Sequence, residues 1–123
     1  MQDAEHPVLL PEILEERLGA DSLALGLRIP EGLAYFQGHF LGAPILPGIV
    51  QIHWAVHFAK QRLGVQLPFH HLEAIKFKAL ILPGQRLILA LRWFDTAHKL
   101  EFNFYSEDRI HSSGRIYFQG DEV

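Results

Sequence analysis

The 123-residue chain contains no cysteine. Disulfides, thiolate metal sites and a cysteine nucleophile are therefore excluded, and a reducing cytoplasm is the expected location. An excess of positive charge is also missing. The chain has 11 Lys and Arg against 14 Asp and Glu, for a formal charge of −3, and the basic residues are scattered. No electrostatic footprint for nucleic acid is expected. No apolar run reaches the roughly 18 residues that a membrane span requires. The first residues, MQDAEHPVLLPE, are acidic and interrupted by Pro7 and Pro11, so they lack the basic and apolar regions of a signal peptide. Repeats, low-complexity stretches and linker-like runs are absent too, and residues 1–123 are expected to form one domain.

What is present is a core-forming pattern, with 49% hydrophobic and 20% charged residues. LPEILEERLG (residues 10–19) reads as a short helix, whereas Leu23, Leu25, Leu27 and Ile29 alternate as in a strand that ends at Pro30. The following EGLAYFQGHFLGAPILPG is punctuated by Gly and Pro but is too apolar for an ordinary surface loop. GIVQIHWAVHFAKQRLG then reads as one helix from Gly48 to Leu63, with Gly64 as its C-terminal cap. Apolar residues cover most of its circumference, which predicts burial on nearly all sides, His53 included. Four β-type stretches follow, HHLEAIKFKALI, QRLILALRWF, KLEFNFYSE and RIHSSGRIYFQ, separated by PG, DTAH and ED turn signals. One helix followed by antiparallel strands predicts an α+β domain whose curved sheet wraps the helix.

Residues 38–48 carry the most specific motif. Gly38, His39, Phe40, Gly42, Pro44, Ile45, Leu46, Pro47 and Gly48 resemble the GHFPGxPVxPG signature of the bacterial 3-hydroxyacyl-acyl-carrier-protein dehydratases. A second stretch, EAIKFKALILPGQRLILAL, is similar to the strand and PGD-type turn of that family, with Gln85 in place of its Asp. Both matches lie within residues 33–93. The resemblance implies a hotdog fold, an antiparallel sheet of about five to seven strands around one long central helix, usually paired as a homodimer with the two sheets continuous. It implies a substrate borne as a thioester on an acyl carrier protein, with coenzyme A as the second choice. Neither a metal nor a cofactor is implied. The sequence ILPGIVQIHWA is similar to dehydratase-like proteins of aryl-polyene and related pigment pathways.

Dehydration of a 3-hydroxyacyl thioester needs a base for the α-proton, a donor for the departing hydroxyl and a polariser for the thioester oxygen. His39 matches the catalytic base of the family, and imidazole suits the task because much of it is neutral near pH 7. Gly48, at the helix start, corresponds to the thioester contact through its backbone N–H. The family's Glu or Asp, fourteen residues after that histidine, is replaced here by His53. Either His53 supplies the proton, giving a two-histidine dehydratase in which it faces His39 of the other subunit, or dehydration is impaired. In the latter case the scaffold serves as a hotdog acyl-thioesterase or as a non-catalytic acyl-carrier-binding partner.

The other histidines have plainer readings. His57 lies one turn beyond His53, but no third zinc ligand or HExxH glutamate accompanies the pair, so packing or polar lining is expected. His6, His70, His71, His98 and His111 read as solvated. Trp54 and Phe58 read as core, and Lys76, Lys78 and Arg86 as a strand face that could also steer an acidic carrier protein.

Overall fold

Alternation in Ser22–Arg28 sets the first buried layer. Leu23, Leu25 and Leu27 point inward while Ala24 and Gly26 occupy the opposite face. The computed structural model describes residues 6–36, 44–107 and 109–120. In chain order the elements are β1 (Glu12–Leu18), β2 (Ser22–Arg28), a 3₁₀ turn (Ala34–Phe36), α1 (Gly48–Leu63), β3 (Phe69–Phe77), β4 (Arg86–Phe94), β5 (Lys99–Ser106) and β6 (Arg109–Phe118). The six strands form one sheet in the order β1-β2-β4-β5-β6-β3, antiparallel at every pairing. This is the hotdog architecture.

Leu89 and Leu91 of β4, Leu100, Phe102 and Phe104 of β5, and Ile116 and Phe118 of β6 extend the inward face of β2. Against it α1 places Val50, Trp54, Ala55, Phe58 and Ala59, residues spaced by three and four that form a single helical stripe. Gly64 closes the helix in the left-handed region at φ 70°, its N–H donating to the Ala59 carbonyl.

Two expectations need correction. Residues 12–18 form the edge strand β1, not a helix. Seven residues make a marginal helix, whereas pairing from Glu12↔Arg28 to Leu18↔Leu23 satisfies the free edge of β2. Nor is α1 buried on all sides, because Ile49 is 71% exposed and His53 lies exposed one turn later on the same side. The sheet covers only the Trp54–Phe58 stripe.

β3 bears on the site because it occupies the other edge of the sheet, beside β6, and carries a bulge. Its register shifts between Glu73 and Lys76, and Ala74 adopts φ 54°. The Ile75 side chain is thereby laid over Gly114 of β6, where any Cβ would collide with the Ile75 methyl and crowd the Phe102 ring. Gly114→Ala is expected to lower stability by about 1–3 kcal/mol, seen as a lower urea midpoint at unchanged slope. An unchanged midpoint would show that Ile75 yields freely.

Candidate functional site at the start of the helix

Pro47 enters α1 in an extended conformation (φ −61°, ψ 146°), and among the described residues no side chain caps the helix. The Val50 and Gln51 amides reach back to the Pro47 carbonyl at 3.1 and 3.3 Å. The helix offers no acceptor to the amides of Gly48 and Ile49, so this end presents N–H groups and the positive end of the dipole. The sequence permits this because proline suits the entry to a helix and glycine keeps its first residue free of a side chain. Beside it lies a pocket of about 360 Å³, lined among others by Leu46, Gly48, Gln51, Phe77, Lys78 and Leu80. A larger groove of about 560 Å³ runs over β1, β2, β4 and β5 past Arg17, Ala24, Arg92 and Glu101, but it touches neither Gly48 nor His53.

Three contacts shape the pocket at Gly48. The Phe77 ring lies against the Gly48 backbone so closely that a Cβ there would meet ring carbons at 2.5 to 2.9 Å. Gln51, 4% exposed, donates from Nε2 to the Leu46 carbonyl at 3.3 Å. A carbonyl only accepts, so the amide is oriented with Oε1 away from it, and Oε1 has no hydrogen-bond partner among the described residues. Leu46 in turn donates its N–H to the Ile81 carbonyl at 2.9 Å, tying the helix entry to the segment after β3. These roles escape sequence reading. Phe77 is one of many strand aromatics, and Gln51 stands out only as a polar residue three positions past Gly48 on an apolar helix.

Of the predicted site residues, Gly48 lines this pocket and His53 sits on the same helix, about 7.5 Å further along its axis. The expected burial of His53 does not occur within one chain, because its side of α1 faces away from the sheet. His39 lies outside the described residues. Glu73, the nearest downstream carboxylate, is engaged elsewhere. It accepts from Arg115 at 3.3 Å and pairs with His71 at 3.0 Å, and these hydrogen bonds hold its carboxyl below the usual range.

Among the remaining histidines, His111 corrects the expectation of a solvated side chain. It is 1% exposed, with Nδ1 3.1 Å from the Leu80 carbonyl and Nε2 2.8 Å from Ser106 Oγ. His71 stacks on Tyr117 with ring centroids 4.6 Å apart. The described residues include no cluster of three or more potential metal ligands.

His57 is partly buried, packs edge-on against Phe58 and has no partner for Nε2 among the described residues. Burial lowers its pKa, and the positive charges of His53 and Arg62 lower it further. Because the folded value lies below the unfolded one, the unfolded chain binds the extra proton, and His57 diminishes stability as pH falls below about 6.5. His57→Gln is therefore expected to flatten the loss of stability between about pH 7 and pH 5, measured by urea unfolding at each pH. An unchanged pH slope would refute this.

Against known proteins, residues 15–115 match the model of the ApeI-like family, described as ApeI dehydratase. Two 3-hydroxyacyl-[acyl-carrier-protein] dehydratases named FabZ are similar. That of Roseobacter denitrificans is 31% identical over 96 residues, 70% of this chain and 62% of the relative. That of Koribacter versatilis is 25% identical over 116 residues, 85% of this chain and 74% of the relative. Among solved structures, the dehydratase heterocomplex ApeI:P from Xenorhabdus doucetiae superimposes with a TM-score of 0.83 at 30% identity, covering 88% of this chain and 96% of the other. An uncharacterised protein from Erwinia carotovora subsp. atroseptica gives 0.77 at 34% identity, covering 89% and 96%. With a six-stranded sheet, one long helix and a helix started at glycine among its described residues, the chain belongs to the ApeI-like dehydratase family, within the hotdog fold.

Proposed function

We propose that this chain dehydrates a 3-hydroxyacyl thioester, delivered on the phosphopantetheine arm of an acyl carrier protein, to the trans-2-enoyl thioester in fatty-acid-like or polyene biosynthesis. The observation that carries the reading is the pocket at the open helix terminus, which brings the Gly48 backbone into contact range of a ligand on the helix that also bears His53. Similarity to acyl-carrier-protein dehydratases supports the carrier.

In the proposed reaction the thioester oxygen accepts from the Gly48 N–H, which stabilises the charge that builds as the α-proton leaves. Neutral His39 takes that proton. The freed electron pair becomes the C2–C3 double bond while the C3–O bond breaks, and protonated His53 passes its proton to the departing hydroxyl, releasing water. His39 ends protonated and His53 neutral, and proton exchange with solvent restores both.

A second copy completes the site in this reading. The edge strand β3 exposes Phe69, Leu72 and Phe77, and α1 exposes Ile49 beside His53, so continuing the sheet across β3 would cover both surfaces. His39 and His53 then come from opposite protomers.

Turnover of a 3-hydroxyacyl thioester by wild type, His39→Ala, His53→Ala and His53→Glu over a pH series tests the chemistry. Wild type is expected to yield the enoyl thioester, His39→Ala to abolish turnover and His53→Ala to reduce it by about 10²-fold or more, while His53→Glu retains activity with a shifted pH optimum. Free thiol as the only product would instead indicate a thioesterase, and full activity of His53→Ala would remove His53 from the mechanism. Mixing His39→Ala and His53→Ala subunits should restore about a quarter of wild-type turnover, since random pairing leaves one intact site in half of the dimers. No recovery would place both histidines of a site on one chain.

Two observations favour a second reading. The family carboxylate is missing at position 53, and the similar ApeI:P structure is described as a heterocomplex, so in this reading the chain is the binding partner of an active dehydratase. Turnover would then be absent alone and, in the mixed complex, insensitive to His39→Ala.

A further inference from the structure

Burial in β6 departs from strict alternation at one place. Ser112, Gly114, Ile116 and Phe118 are buried with the period of two expected of a strand, yet His111, directly before Ser112, is buried as well. The cause is a bulge. Phe104 pairs with Ser112 and Tyr105 with Ile110, leaving His111 as the extra residue. Bulges of this kind redirect a side chain and are over-represented next to active sites.

Both ends of His111 are occupied. Its carbonyl accepts from the Lys78 amide at 2.8 Å and the Ala79 amide at 3.2 Å. Its Nδ1 faces the Leu80 carbonyl at 3.1 Å, and Nε2 meets Ser106 Oγ at 2.8 Å. A carbonyl can only accept, so Nδ1 carries a proton and donates, while the Ser106 hydroxyl can donate to Nε2 of the neutral ring. One residue therefore holds three consecutive residues of the segment that leaves β3. Lys78, Ala79 and Leu80 line the same pocket as Gly48 and Gln51, and Phe77, just before them, lies on the Gly48 backbone.

We propose that His111 is a positioning residue for the thioester pocket: its Nδ1–H bond holds the Leu80 carbonyl, beside the Lys78 and Ala79 amides already held by the His111 main chain, at the distance from the helix terminus at which the Gly48 N–H and a bound thioester meet. This rests on the dehydratase reading. His111 touches no reacting atom, and its effect passes through the geometry of the wall. β3 ends at Phe77, so among the described residues the segment beyond it is held by these His111 bonds and, further on, by the Leu46 N–H on the Ile81 carbonyl. Small displacements of a reacting group carry large rate penalties.

The test uses two isosteric replacements of the full-length protein. Asparagine at 111 can place an amide N–H where imidazole Nδ1 lies, whereas glutamine places it nearer Nε2 and Ser106. Turnover of a 3-hydroxyacyl thioester and amide hydrogen exchange at residues 78–82 are measured for wild type, His111→Asn, His111→Gln and His111→Leu, at a temperature where each is folded by circular dichroism. His111→Asn is expected to stay within about threefold of wild-type kcat/KM, while His111→Gln and His111→Leu fall by about tenfold or more. Exchange at 78–82 should rise in the latter two only. If His111 is merely structural, the melting temperature falls but kcat/KM per folded molecule does not change, and the proposal is overturned. Equal defects in His111→Asn and His111→Gln overturn it as well, and these two remain informative should His111→Leu fail to fold. A wild type without turnover refutes the dehydratase reading and with it the catalytic part of the proposal, while exchange at 78–82 still decides whether His111 anchors the wall.

Discussion

The fold depends on how the sheet accommodates Trp54 and Phe58. Both rings are fully buried or nearly so and stand on one side of α1, where the Leu and Phe rows of β2, β4, β5 and β6 close over them. Burying a large aromatic side chain contributes roughly 1.5–3 kcal/mol, and here the two aromatics also fix which side of the helix faces the sheet. Trp54 adds a directional constraint through its indole N–H, which donates to the Leu9 carbonyl at 3.0 Å and draws the N-terminal segment against the helix. Once that face is committed, Ile49 and His53 are carried to the other side, and the open terminus at Gly48 is aimed at the end of β3.

The surroundings of that terminus are tied down without a side chain at Gly48 to fill it. A capping side chain would occupy the free N–H groups, and a larger first residue would collide with Phe77. Stability comes instead from the periphery. Gln51 grips the Leu46 carbonyl, Leu46 grips Ile81, and the bulged His111 grips residues 78 to 80. Within the helix itself only the Gly48 and Ile49 amides lack an acceptor, the two positions that the proposed thioester contact uses.

Much of this was legible in sequence because it rests on periodicity. Leu23, Leu25, Leu27 and Ile29 announce a half-buried strand, and the uninterrupted run from Gly48 to Leu63 followed by glycine announces a helix with its cap. Strand-edge pairing is harder to read. EILEERL has strong helix formers, and only the three-dimensional need of β2 for a partner makes it β1. Local pattern also cannot indicate that an apolar helix has one uncovered side, since that depends on how many layers pack against it. His111 was misread for a third reason, because a one-residue bulge reverses the face a strand residue occupies and leaves no mark in the alternation. Gln85 shows the opposite case. It departs from the Asp of the resembling turn, yet its Oε1 accepts from the Leu82 amide at 3.1 Å, so the turn around Gly84 (φ 80°) is stapled by a longer side chain.

Position 53 joins these strands of argument. A carboxylate partnered with a histidine gives two groups that differ in chemistry, and each assumes its protonation state without help. Two histidines are chemically identical, so the proposed reaction works only if the protein makes one neutral and the other charged. On the helix, His57 lies one turn from His53 and is held toward its neutral form by burial first, and then by the neighbouring His53 and Arg62. Exposure of His53 in the single protomer adds to this, since solvent or a partner's surface, and not the apolar core, sets the environment of its ring. In the proposed reaction the imidazole at this position therefore works beside the half-buried His57, on the uncovered side of the helix.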